Sequence, residues 1–224
     1  MRLVGRKLQW LRAAAVVFAI TSGGNVLAQS NAGNFTLFDE QGHAVELHYN
    51  RLADAVVLMT HRVDSDLVGQ VSDRIVQTLG EFAGQDIPFF LINPETTSTR
   101  EILIQDKAAH KLTAPILQDD AQLVGKTFEL ETAGEVLLID PQNWTVVYRG
   151  PVVDDLANPK ALYLRDALAA LFGDQAVAQA SRGMPNAYDD EQISLESMLS
   201  SISYSDTVVP ILQEKCVSCH RPGG

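Results

Sequence analysis

The sequence predicts an α/β fold, a central mixed sheet with helices on both faces. Three observations carry this. Ala55–Met59 and Ile87–Ile92 are short, nearly continuous apolar runs, the mark of strands buried on both sides. Between them Leu67, Val68, Val71, Ile75, Leu79 and Phe82 recur at helical spacing. The resulting order, strand-helix-strand-helix-strand-strand-helix, asks for parallel crossover strands closed by an antiparallel hairpin. With 224 residues, 46% of them hydrophobic, the chain can bury the core of one domain and carry a smaller appendage.

Asn34–Phe38 and Ala44–Leu47 flank the turn residues Asp39-Glu40-Gln41-Gly42 and read as a small hairpin. Ala55–Met59 is the first buried strand, and the amphipathic helix after it spans about Ser65 to Ala83. Ile87–Ile92 is the second buried strand. Ser98 followed by Glu101 has capping-box spacing and opens a helix running to about His110. A short helix follows Asp120. Glu135–Ile139 and Thr145–Tyr148 form a hairpin around Asp140-Pro141-Gln142-Asn143. Asn158 with Pro159 starts a last helix, which Gly173 stops.

The order and spacing of four stretches resemble a redoxin domain, the thioredoxin-fold family of peroxiredoxin-like and thioredoxin-like proteins. They are Phe35–Gly42, Ala55–Thr60, Ala114–Asp119, and Glu135–Asp140 running into Val147–Gly150. The resemblance covers residues 34–173 and implies a thioredoxin-like fold. It also implies an active site just after the first core strand. Here that loop reads Thr60-His61-Arg62-Val63-Asp64-Ser65-Asp66 and holds no cysteine. The position matching the family's cis-proline is Gly134. A thiolate is the nucleophile of disulfide exchange and peroxide reduction, so a thiol-less domain kept as scaffold or docking surface is expected.

The only two cysteines lie in Cys216-Val217-Ser218-Cys219-His220. C-x-x-C-H is the attachment signature of a c-type haem. The thiols of Cys216 and Cys219 become thioethers to the cofactor, and His220 becomes an axial ligand of the iron. A structural zinc needs a second pair of ligands, and none lies nearby. A thioredoxin-type redox pair normally opens a helix after a strand, whereas this motif closes a helical pattern, Thr207–Lys215. The segment Val209–His220 resembles the opening of short planctomycete-type cytochrome c domains. That resemblance implies further helices and a second axial ligand, so the chain is expected to be a fragment of a longer protein.

Residues 1–28 read as a secretory signal peptide: Arg2, Arg6, Lys7 and Arg12 precede the apolar run Ala13–Ile20, and Val26-Leu27-Ala28 offers a cleavage site. The run is short of the ~20 residues a membrane span needs. Export to a bacterial periplasm, with no span after cleavage, fits covalent haem attachment outside the cytoplasm. Residues 174–204 read as a linker and residues 205–224 as the start of the cytochrome segment. The net charge of the whole chain is −11. Nucleic acid is therefore excluded as a partner, and an acidic surface suits a basic redox partner or simple solubility.

Other candidates are weaker. His61 with Asp64 and Asp66 reads as a solvated loop, or as a weak metal site of imidazole and carboxylates. His43 and His48 have no fixed relation. His110 closes a helix, where the dipole favours a cation. Trp144 packs at a turn. Asp119 and Asp120 read as turn and helix cap. Met184 and Met198 are the methionines near the haem segment, in linker and helix. The expected function is electron transfer by an exported haem protein. The alternatives are the front part of a larger exported oxidoreductase, of a copper monooxygenase-like kind, and a thiol oxidoreductase or peroxidase by fold only.

Overall fold

A computed structural model describes residues 31–173 together with Ile193, Leu195, Val209, Pro210 and Leu212. The expected signal peptide, most of the expected linker and the Cys216–His220 motif lie outside the described residues. Val209, Pro210 and Leu212 are helical, as expected of that segment.

The strands are β1 (Thr36–Asp39), β2 (Ala44–Glu46), β3 (Val56–Thr60), β4 (Phe89–Asn93), β5 (Ile116–Gln118), β6 (Val136–Asp140) and β7 (Thr145–Gly150). The helices are α1 (Asp66–Gly80), α2 (Arg100–Ala109), α3 (Leu123–Thr127) and α4 (Tyr163–Phe172). One mixed sheet of seven strands results, in the order β2-β1-β5-β4-β3-β6-β7. β3, β4 and β5 are parallel, and all other pairs are antiparallel. The two expected hairpins and the parallel crossovers are all present.

Both faces of the sheet are covered, which is why β3 reads as an unbroken apolar run. Val57 and Met59 face Val68, Val71 and Ile75 of α1, Leu103 of α2, and Leu164 and Leu168 of α4. Val56 and Leu58 face the opposite way, with Leu47, Val124 of α3, Phe128 and Leu130. Every side chain of β3 is buried. Removing one such Leu costs roughly 2–5 kcal/mol.

Two helix starts differ from expectation. α2 is capped by Thr99, whose hydroxyl accepts from Ile102 N at 3.4 Å, so Ser98 is not the cap. α4 begins at Tyr163 rather than at Pro159. The Asp155 carboxylate accepts from Ala157 N and Asn158 N. The Asp154 carboxylate accepts from Lys160 N and Ala161 N. These bonds hold the Asn158-Pro159 stretch as a turn. Gly173 does stop the helix, as its C-cap. No helix among the described residues is long and apolar enough to cross a membrane.

Candidate functional site

The loop after β3 begins at His61, and its geometry is fixed from three sides. His61 N donates to Ile92 O at 2.8 Å, continuing the β3–β4 pairing by one residue. Gly134 N donates to Thr60 O at 2.8 Å, and Thr60 N to Glu135 O at 2.9 Å. Gly134 therefore stands opposite the loop, at φ +75°, a backbone region that glycine enters without penalty. Ser65 caps α1 by accepting from Val68 N at 3.2 Å.

His61 is not solvated: it is 0% exposed. Its Nε2 lies 2.9 Å from Asp106 Oδ2, and its Nδ1 lies 3.0 Å from Asn93 Nδ2. Asn93 Nδ2 also donates to Glu95 Oε2 at 3.1 Å. A carboxylate only accepts, so the amide must turn its nitrogen this way, and its second hydrogen goes to His61 Nδ1. That nitrogen is then the acceptor, and Nε2 donates to Asp106. Asn93 Oδ1 is left buried without a hydrogen-bond partner among the described residues.

Asp106 is the hub. Its Oδ1 accepts from Asp64 N at 2.7 Å and lies 3.2 Å from His110 Nδ1. Burial opposes its ionisation, but hydrogen bonds from His61 and the Asp64 amide outweigh that and hold its carboxyl below the ordinary range. Glu95 closes the loop by accepting from Val63 N at 2.7 Å.

The alternative reading, a metal site of His61 with Asp64 and Asp66, does not form either. Asp64 offers its backbone amide rather than its carboxylate, and Asp66 is exposed, 3.6 Å from His110 Nε2. Among the described residues no group of three or more His, Cys, Asp or Glu side chains could hold a metal ion. His43 bonds Asp39, whereas His48 stacks on Trp144 with ring centroids 3.9 Å apart. Asp119 is not the N-cap of α3, a position Gln122 holds; its carboxylate accepts from Gly125 N within the helix at 2.6 Å, and burial pushes its carboxyl up. A groove of about 480 Å³ between β1 and α3 is lined by Phe35, Leu37, Phe38, Leu123 and Phe128 and contains no thiol or imidazole.

The chain has no match among protein-family models and none among curated proteins. Solved structures do match. An uncharacterized conserved protein from Geobacillus kaustophilus superposes with a TM-score of 0.57 at 22% identity, covering 66% of this chain and 84% of that one. A hypothetical protein, SMc02350, from Sinorhizobium meliloti 1021 gives 0.56 at 23% identity, covering 66% and 86%. Peroxidoxin BcpB from Mycobacterium tuberculosis gives 0.52 at 15% identity, covering 65% and 96%.

The fold is thioredoxin-like.

In this thioredoxin-like domain the end of β3 carries a buried, hydrogen-bonded plug. Both ring nitrogens of His61 are engaged, the ring is closed off from solvent, and no cysteine occurs between residues 31 and 173. The plug ties β3, β4, α2 and the loop before α1 together. Sequence reading missed Asn93, Glu95 and Asp106 as parts of it. The one local signal was Asp106 standing four residues before His110, a helix-face pair.

Proposed function

We propose that the chain is an exported c-type haem protein in electron transfer, whose thioredoxin-like domain is a scaffold or docking module. One observation carries the reading. The position where thiol chemistry needs a cysteine holds a buried, fully bonded histidine, while both cysteines of the chain sit in Cys216-x-x-Cys219-His220. The donor set fits haem c, with two thiols at the attachment spacing and an imidazole directly after them. Cys216 and Cys219 would hold the group covalently, and His220 would supply an imidazole nitrogen to the iron. When bound, the haem supplies a one-electron redox couple set by its axial ligands and surroundings. Residues 1–28 supply the export signal that attachment outside the cytoplasm requires.

Covalent retention tests this. Produced with a haem-attachment system, the protein keeps its haem through denaturation, and Cys216→Ala with Cys219→Ala loses it. Complete release of haem from the wild type into acid-organic solvent overturns the assignment.

A further inference from the structure

The sheet has a gap beside β1. In the pairing of β1 with β2, Leu47 N donates to Phe35 O at 3.0 Å and Asp39 N to His43 O at 2.9 Å. Hydrogen-bonded pairs alternate along an antiparallel ladder, so the backbone groups of Phe35, Leu37 and Asp39 face β2. Those of Thr36 and Phe38 face the other way, where Phe38 meets Gln118 of β5. In that register Asp120 would stand opposite Thr36, but β5 ends at Gln118. Asp119 N turns to Asn93 O at 2.8 Å, Gln122 N closes a turn on Asp119 O at 2.9 Å, and the chain enters α3. Thr36 N–H and C=O are left without a hydrogen-bond partner among the described residues.

The groove between β1 and α3 is this gap. Phe35 and Phe128 line it and meet edge to face, with ring centroids 6.2 Å apart. Phe38 and Leu123, also in the lining, are 59% and 55% exposed. Large apolar side chains that open together beside unpaired strand backbone mark a surface suited to recognition. Among the described residues, the charged side chains in the lining are Asp119 and Asp120, with no lysine or arginine. Asp119 is buried and already accepts from Gly125 N, whereas Asp120 is exposed. The groove therefore offers main-chain hydrogen bonds, apolar contact and one free negative charge.

We propose that this groove takes an extended segment of a partner protein, added to β1 in line with β5. The segment's backbone pairs with Thr36 N–H and C=O. Its apolar side chains lie against Phe38, Leu123 and Phe128, and a lysine or arginine meets Asp120. Strand addition draws affinity from main-chain hydrogen bonds and selectivity from the side chains around them. The inference rests on the docking-module reading above and gives the partner's chemistry.

Two end-capped peptides of about eight residues, an ordinary strand length, test this on the full chain. One alternates valine with lysine, the other valine with glutamate. The lysine peptide should shift the amide signals of Thr36, Asp120 and Leu123 saturably. At about ten times its Kd, it should slow hydrogen exchange at Thr36 about tenfold. The glutamate peptide should bind at least about tenfold more weakly. Methylating the backbone nitrogens of the lysine peptide should abolish binding. So should Thr36→Pro, which removes the groove-facing donor and spares the β1–β2 ladder. Its urea midpoint reports that the domain still folds. Asp120→Lys, at an exposed position, should turn the preference to the glutamate peptide. Absence of a saturable shift, equal binding of both peptides, or a preference that Asp120→Lys does not turn overturns the inference. So does binding that survives Thr36→Pro or backbone methylation, since the groove then takes apolar side chains alone. Shifts at these amides that grow with protein concentration before any peptide is added overturn it as well, the occupant then being a second copy. Saturable shifts confined to other residues overturn the groove and leave the docking-module reading standing. No readout needs haem, so failure here and failure of haem attachment are seen separately.

Discussion

Replacing His61 with alanine takes one hydrogen bond from each of two buried groups, the Asn93 amide and the Asp106 carboxylate. The expected loss is about 2–4 kcal/mol, read from urea unfolding. Acid should act on the same residues. Burial opposes ionisation of Asp39, Glu40 and Asp106, yet their hydrogen bonds win and hold all three carboxyls below the ordinary range. Near pH 4 the unfolded chain therefore binds more protons than the native one. The stability these groups contribute is complete above the ordinary carboxylate range and is lost as pH falls through and below it. Asp119, pushed up by burial, works in the opposite sense; Glu101 and Asp154 are held low by hydrogen bonds as well, so five groups against one leave a net loss in acid. Asp106→Asn should lower stability at pH 7 and flatten its fall between pH 5 and 3, as followed by urea midpoints. Much of this site was hidden in the sequence. Asp119 was legible as an acceptor for the amides of α3 because Gly125 lies six residues on, although Gln122 takes the N-cap position. His61 and Asp106 are 45 residues apart, on elements brought together only by the packing of α2 on the sheet. No local spacing encodes such a pair.

Element boundaries were legible where periodicity defines them and blurred where single polar side chains decide. Ser98 and Thr99 are both good N-cap types, and only the backbone geometry selects Thr99. Thr99→Ala should cost about 0.5–1 kcal/mol. Ser98→Ala should change stability by less than about 0.5 kcal/mol, as read from thermal melts. The reverse ranking sinks the assignment. The start of α4 was misplaced for a related reason. Asn158-Pro159 is sound helix-start chemistry, but Asp154 and Asp155 bind the amides on either side of it first. Side-chain acceptors compete with helix formation at this range, and a rule about one dipeptide does not register the competitor four residues upstream.

At the scale of the whole molecule the two-faced sheet was legible, since continuous apolar runs have no other economical burial. The return of Ile193, whose N–H donates to Glu131 O, and of Leu195, which lies against Gly125, was not, because two apolar residues in a polar stretch carry no period. A chain truncated after Gly173 should still unfold cooperatively but lose about 1 kcal/mol relative to the full chain, through exposure of the surface Ile193 covers. That truncated chain should show no insulin reduction or thiol-dependent peroxide turnover above a buffer blank, since it contains no cysteine. Turnover there would mean chemistry other than a thiolate's. The buried Glu40 has a consequence on another axis, time. Its carboxylate takes Lys107 Nζ at 2.6 Å and Ile116 N at 2.8 Å, partners 67 and 76 residues further along the chain. A ribosome adding about 5–20 residues per second releases those partners several seconds after the hairpin that needs them. The β1–β2 hairpin is thus the first of the described elements to be synthesised but is not locked until residue 116 follows, and until Ile116 emerges its strand edge stands open to any other chain nearby.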